Sequence, residues 1–132
     1  MIVKSLSVAN FRNYKQEKID FSENTNVIYG NNAQGKTNLL EAVYLFSHGK
    51  SHRTKFDTEL VGFGQDFARL SLEFAGKDRE YRAAFCIEAN GKKRVKINNM
   101  TITKLSMLMR YLNVVMFSPE DLDIIKGAPQ IR

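Results

Sequence analysis

Gly30-Asn31-Asn32-Ala33-Gln34-Gly35-Lys36-Thr37 is the stretch on which the reading of this chain turns. It fits G-x-x-x-x-G-K-[ST], the phosphate-binding P-loop. Gly30 and Gly35 carry no Cβ, so the backbone there can wrap closely around a phosphate. The N–H groups of residues 33 to 37 then form an anion nest. A helix starting at about Lys36 turns its positive end toward the same phosphates. Lys36 reaches the β- and γ-phosphates in such a loop, and the Thr37 hydroxyl sits on Mg²⁺. A chance match in a chain of this size is on the order of 0.5%.

The flanks agree with the motif. Val27-Ile28-Tyr29 is a short apolar run of the kind a buried strand shows. Beyond Thr37, Leu39, Leu40, Val43 and Phe46 recur at helical spacing. Gly49 stands where a helix C-cap belongs. The expectation is therefore strand, loop and helix, with Lys36 exposed in the loop before ligand binds.

Composition sets the outer bounds. The chain has 132 residues, 43% hydrophobic and 26% charged, with a formal net charge of +6. That is enough for one domain with one core. The positive balance favours polyanionic partners. A single cysteine, Cys86, cannot form an internal disulfide, which points to a reduced cytosolic setting. The first residues carry no signal-peptide apolar core, and no apolar run approaches a membrane span.

Taken in order, residues 2 to 8 alternate as a strand, and Asn10 to Tyr14 read as a turn or short loop. Lys18 to Phe21 alternate again, and Ser22 to Asn26 are turn material. Gly49 to Gly64 reads as a polar loop. Its His52, and His48 just before it, lack Cys or carboxylate partners at ligand spacing, so they read as solvated residues and not as a metal site. Residues 66 to 102 read as an antiparallel meander. Ala68, Leu70, Leu72 and Phe74 alternate with polar residues, as do Tyr81, Ala83, Phe85 and Ile87. Asn90-Gly91 is a hairpin signal, and Asn98-Asn99 marks a further turn. Leu105, Leu108, Met109 and Leu112 predict a helix over 103–112, with Met107, Met109 and Met116 as core filler. Val114 to Phe117 reads as a short buried strand. Ser118-Pro119-Glu120-Asp121 reads as a capped helix start, with Gly127 able to end the helix.

Several stretches together carry a resemblance. They are Asn10-Phe11-Arg12-Asn13-Tyr14, Gly30 through Glu41 with its Asn38-Leu39-Leu40-Glu41, Gly49-Lys50-Ser51-His52-Arg53-Thr54, Val114 through Leu122, and Lys126-Gly127-Ala128-Pro129. In this order they make the chain resemble the N-terminal part of the RecF family, bacterial recombination-repair ATPases of the SMC-like branch of the ABC superfamily. The resemblance implies an α/β fold, the N-terminal lobe of a P-loop NTPase head with a mixed sheet and an antiparallel β-meander. It implies a single lobe over 1–132, with a P-loop core at 1–49 and 103–132 and a β subdomain at about 66–102. ATP and Mg²⁺ follow as cofactors. Gly30, Asn31, Asn32, Ala33, Gln34, Gly35, Lys36, Thr37 and Asn38 would hold the nucleotide, and Thr37 the metal. Arg12 and Asn13 would approach the ribose and α-phosphate, the other reading being a plain surface turn. The implied partners are DNA, single-stranded or gapped and without sequence specificity, a second subunit in an ATP-dependent homodimer, and recombination mediator proteins that help load recombinase at gaps. The implied location is the bacterial cytoplasm.

The departures are specific. His52 stands where an aromatic Phe is commoner. An ABC signature segment, a Walker B Asp and a D-loop are not found, and Ser118 occupies the place of that Asp. Ser118 to Asp121 reads either as first-turn acids of a helix or as the family's Q-loop region. The expectation is a fragment of a longer head that binds nucleotide and hydrolyses it negligibly. Two other functions stay in view. Lys92-Lys93-Arg94, Lys96, Lys50, Arg53 and Lys55 could make a DNA-contacting module, or simply a solvated, charge-protected edge. Another SMC-like head, or a free-standing small P-loop NTPase, remains as the alternative; the latter needs a parallel sheet of repeated βα units.

Overall fold

The computed structural model of the chain describes residues 2–27 and 33–115. Among these residues six strands form one sheet in the order β2-β1-β3-β4-β5-β6. They are β1 (Ile2–Phe11), β2 (Tyr14–Asp20), β3 (Phe67–Ala75), β4 (Glu80–Glu88), β5 (Lys93–Ile97) and β6 (Met100–Thr101). Every pairing among them is antiparallel. The N-terminal hairpin and the later meander are thus one sheet, joined where β1 pairs with β3. The helix α1 (Ala33–His48) lies across one face.

Alternation decides which face that is. Leu6, Val8, Leu70, Leu72, Phe74, Ala83, Phe85, Ile87, Val95 and Ile97 are buried and face Leu39, Ala42, Leu45 and Phe46 of α1. Phe46 meets Phe85 edge-on at 5.8 Å between ring centres. The expected helix face is corrected in one respect. Leu40 is 46% exposed, and the buried face runs through residues 38, 39, 41, 42, 45, 46 and 47. Leu39 and Leu40 are 100° apart on a helix, so they cannot both sit centrally on one face.

The turns follow their residues. Asn98 and Asn99 take φ of 50° and 69° to close the β5–β6 hairpin, a conformation Asn tolerates better than most residues. Gly49, at φ 75°, ends α1 and donates its N–H to the Leu45 carbonyl at 2.8 Å, as a C-cap should. Phe11 was expected in a turn, yet it closes β1 and is fully buried. It is out of phase with Leu6 and Val8, and the backbone just before it, at Asn10, is left-handed (φ 54°). Phe11 also bridges to Val61.

Other expectations are revised. Gly49 to Gly64 is not only a polar loop, because a 3-10 turn at Asp57–Leu60 buries Leu60 and the following Val61. The helix expected at 103–112 is a 3-10 segment, Leu105–Arg110. A period near three aligns Leu105 with the buried Leu108. The same period turns Met109 outward, against its reading as core filler. Of the strand expected at 27–29, Val27 is 76% exposed and unpaired among the described residues; the rest lies outside them. At 114–117, Val115 is 77% exposed, and Met116 onward lies outside the described residues, as do Ser118 to Asp121 and Lys126 to Pro129.

Candidate nucleotide-binding site

The helix begins three residues earlier than expected, so Ala33, Gln34 and Gly35 are already helical. Gly30, Asn31 and Asn32 lie outside the described residues. Lys36 and Thr37 follow near the helix start, and Lys36 is half-buried instead of exposed, because it belongs to the helix and not to the loop. The first turn of α1 contains no acidic side chain. A helix start of this kind favours an anion.

Below that turn lies a polar network built on Glu41, which is buried with no exposed surface. Arg12 donates from Nε to Glu41 Oε1 at 2.5 Å and from Nη2 to Oε2 at 2.9 Å. The Ser51 hydroxyl donates to Oε2 as well. Arg53 Nη1 stands 3.7 Å from Oε1. Arg53 also donates to Asn38 Oδ1 at 2.7 Å, and Asn38 Nδ2 donates to Asn13 Oδ1 at 2.9 Å. A buried carboxylate needs partners of this kind, and the bidentate Arg fork is the strongest available.

The network joins three segments that are remote in sequence: the β1–β2 turn, α1 and the loop after Gly49. Backbone bonds close the same junction, with Arg12 N–H donating to the Leu60 carbonyl at 2.9 Å and Gly62 N–H to the Asn10 carbonyl at 2.7 Å. The structure thus brings Arg12, Asn13 and Asn38 together beside the start of α1. It also adds Glu41, Ser51 and Arg53, none of which the motif singles out. Glu41 could have been suspected from its position, three residues after Asn38 and one before Ala42 on a buried helix face.

The histidines are corrected too. His48 stacks on Tyr44 at 4.0 Å, and His52 meets the same ring edge-on at 5.1 Å, so both are packed against an aromatic ring and neither is simply solvated. His52 fills an aromatic place with an aromatic ring. Among the described residues no cluster of metal-ligating side chains occurs. Burial, and then the charge of Glu17, raise the Tyr14 phenol above its ordinary value.

With this geometry in view, the family model of AAA ATPase domains matches residues 1–125. The chain belongs to the AAA ATPase domain family. Within it, the DNA replication and repair protein RecF of Agathobacter rectalis is 50% identical over 132 residues, all of this chain and 36% of that protein. RecF of Clostridium beijerinckii is 47% identical over 133 residues, again covering all of this chain and 36% of the relative. This AAA ATPase chain thus corresponds to the N-terminal part of RecF and spans about a third of the length of the curated relatives it matches.

Solved structures agree. A RecF–ATP complex, described as a recombination mediator protein of the RecFOR pathway, superposes with a TM-score of 0.86 at 39% identity, over 99% of this chain and 35% of that one. An SMC ATPase superposes with a TM-score of 0.74 at 21% identity, over 99% of this chain and 90% of the other, which shows the shared fold. The α/β class, of the ABC and SMC head type, follows. A free-standing kinase-like NTPase is disfavoured, because its parallel βα sheet is not what these strands build. No helix among the described residues is long and apolar enough to cross a membrane.

Proposed function

We propose that this chain is the ATP-binding part of a RecF-like ATPase acting in DNA replication, repair and recombination. One observation carries the reading. The P-loop sequence heads α1, whose first turn carries no acidic residue and which is braced from below through Asn38 and Glu41. The backbone N–H groups of residues 33 to 37 and Lys36 hold the phosphates. Gly30, Asn31 and Asn32 complete the loop by sequence.

Mg²⁺, when bound, neutralises phosphate charge, and the Thr37 hydroxyl is the residue of this chain that would ligate it. Asn38 acts by holding Asn13, and through it the β1–β2 turn, against α1. Arg12 is engaged by Glu41, so its approach to the ribose and α-phosphate requires sharing or exchanging that partner. The chain forms a single lobe, a P-loop core with an antiparallel β subdomain. In the whole protein an ATP-dependent homodimer, DNA without sequence preference and recombination mediator proteins are the partners, in the bacterial cytoplasm.

The test is an ATP titration of the chain and of Lys36→Ala, with circular dichroism as the control for folding. Loss of a hydrogen bond to a charged phosphate lowers affinity by about 10-fold or more. Equal affinities would remove Lys36 from the site.

A further inference from the structure

Beside the polar network, the loop after α1 runs back along the β1–β2 turn. Arg12 N–H donates to the Leu60 carbonyl, Phe11 bridges to Val61, and Gly62 N–H donates to the Asn10 carbonyl. A Cβ on Gly62 would stand 3.1 Å from the Asn10 oxygen and 3.2 Å from that of Arg12, so this close approach needs glycine. The chain then reverses. Gln65 N–H donates to the Gly62 carbonyl at 3.0 Å and Gly64 takes φ 78°, the pattern of a type II turn with Phe63 at its second position. Phe63 is fully exposed, more so than any other large apolar side chain among the described residues.

We propose that Phe63 is the nucleobase-stacking residue of this site, taking the purine ring of the bound nucleotide on its open face. The inference rests on the nucleotide-binding reading above and deepens it. The N–H groups of residues 33 to 37 and Lys36 answer phosphate charge and leave the base unread. The other aromatic rings at this junction are committed elsewhere. Phe11 is fully buried, and Tyr14 packs against the core. Tyr44 lies against His48 and His52.

Placement and surroundings favour a flat ligand over a protein partner. A short path ties the turn to the start of α1. Asn38 follows Thr37 and holds Asn13; Arg12 and Asn10, on either side of Phe11, hold Leu60 and Gly62; Phe63 comes next. A backbone pinned in this way loses little further freedom when a ligand stacks on its side chain. Gly62 and Gly64 flank the ring without side chains, and a Cβ on Gly64 would have nothing within 4 Å. The space beside the ring is therefore open to a planar group. The apolar anchors of protein interfaces sit instead within a rim of other side chains that excludes water. Stacking uses the π-face that every base carries, and the larger purine covers more of the ring than a pyrimidine does.

Calorimetric titrations with ATP and with inorganic tripolyphosphate, both with Mg²⁺, separate the base from the phosphates. Phe63→Ala removes only an exposed ring, and Phe56→Ala, in the same loop, is the control. Phe63→Ala should bind ATP about 5-fold or more weakly than the parent, the usual worth of one aromatic stack on a base. It should bind tripolyphosphate as the parent does, and Phe56→Ala should match the parent with both ligands. The chain contains no tryptophan, so Phe63→Trp adds a single reporter at the site. Its emission should be quenched by ATP and by GTP and left unchanged by tripolyphosphate. Parent-like ATP affinity in Phe63→Ala, an equal loss for tripolyphosphate, an equal loss in Phe56→Ala, or unchanged emission of Phe63→Trp at saturating ATP would each overturn the assignment. Each of these would leave the nucleotide reading standing. A parent chain that binds neither ATP nor tripolyphosphate would overturn that reading as well.

Discussion

Arg12 combines a left-handed backbone, φ 50°, with a guanidinium locked onto a buried carboxylate. A non-glycine residue in that region costs about 1–2 kcal/mol, so the Glu41 contact offsets a local penalty. Arg12→Ala would keep the penalty and leave Glu41 buried with Ser51 and a longer contact to Arg53. Removing one partner of a buried pair costs about 3–5 kcal/mol. Because the Arg12 side chain retains some solvent contact, the lower end applies, about 3 kcal/mol. Arg12→Gly should recover about 1 kcal/mol of this by relaxing φ. Urea unfolding of both variants checks the pair. A wild-type midpoint for Arg12→Ala would mean that Glu41 is satisfied without it. At this scale the motif residues were readable, because their chemistry depends on local spacing. Glu41 was readable only as a charged residue on a buried helix face; its role comes from Arg12, 29 residues away, and from Ser51, 10 residues away.

At the scale of elements, α1 and the meander were legible from periodicity and turn residues, with boundaries shifted by two or three positions. The last segment differs in type from what its spacing predicts. Leu105, Leu108 and Leu112 suit an α-helix, but what forms is a six-residue 3-10 segment. Its packing against the end of α1 explains Gly49. A Cβ there would lie 2.8 Å from Leu105 Cβ, on a residue already at φ 75°. Gly64 has a similar φ of 78° and nothing within 4 Å of such a Cβ. Gly64→Ala should therefore cost only the backbone term, about 1 kcal/mol, and Gly49→Ala clearly more. Thermal or urea denaturation of the two variants separates the terms. Equal losses would show that Leu105 yields freely.

For the whole molecule, a phosphate cradle is not a complete catalyst. Phosphoryl transfer needs Mg²⁺ held by a Walker B Asp beside the P-loop Thr, and a residue that orients the attacking water. The chain's sequence has Thr37 but no apolar strand ending in Asp. The chain alone should bind ATP and release phosphate no faster than Lys36→Ala; turnover clearly above that blank would place a full site within these residues. The sequence by itself determined the P-loop, the helix after it, the hairpins and the cationic character, since each depends on neighbours within a few positions. Only the tertiary structure decided that β1 joins β3, that Glu41 binds three segments together, and that Lys93 pairs with Asp57 while Lys96 and Arg69 share an open face. Those outcomes depend on contacts between residues far apart in the chain, where burial and strand register select among side chains that look alike in sequence.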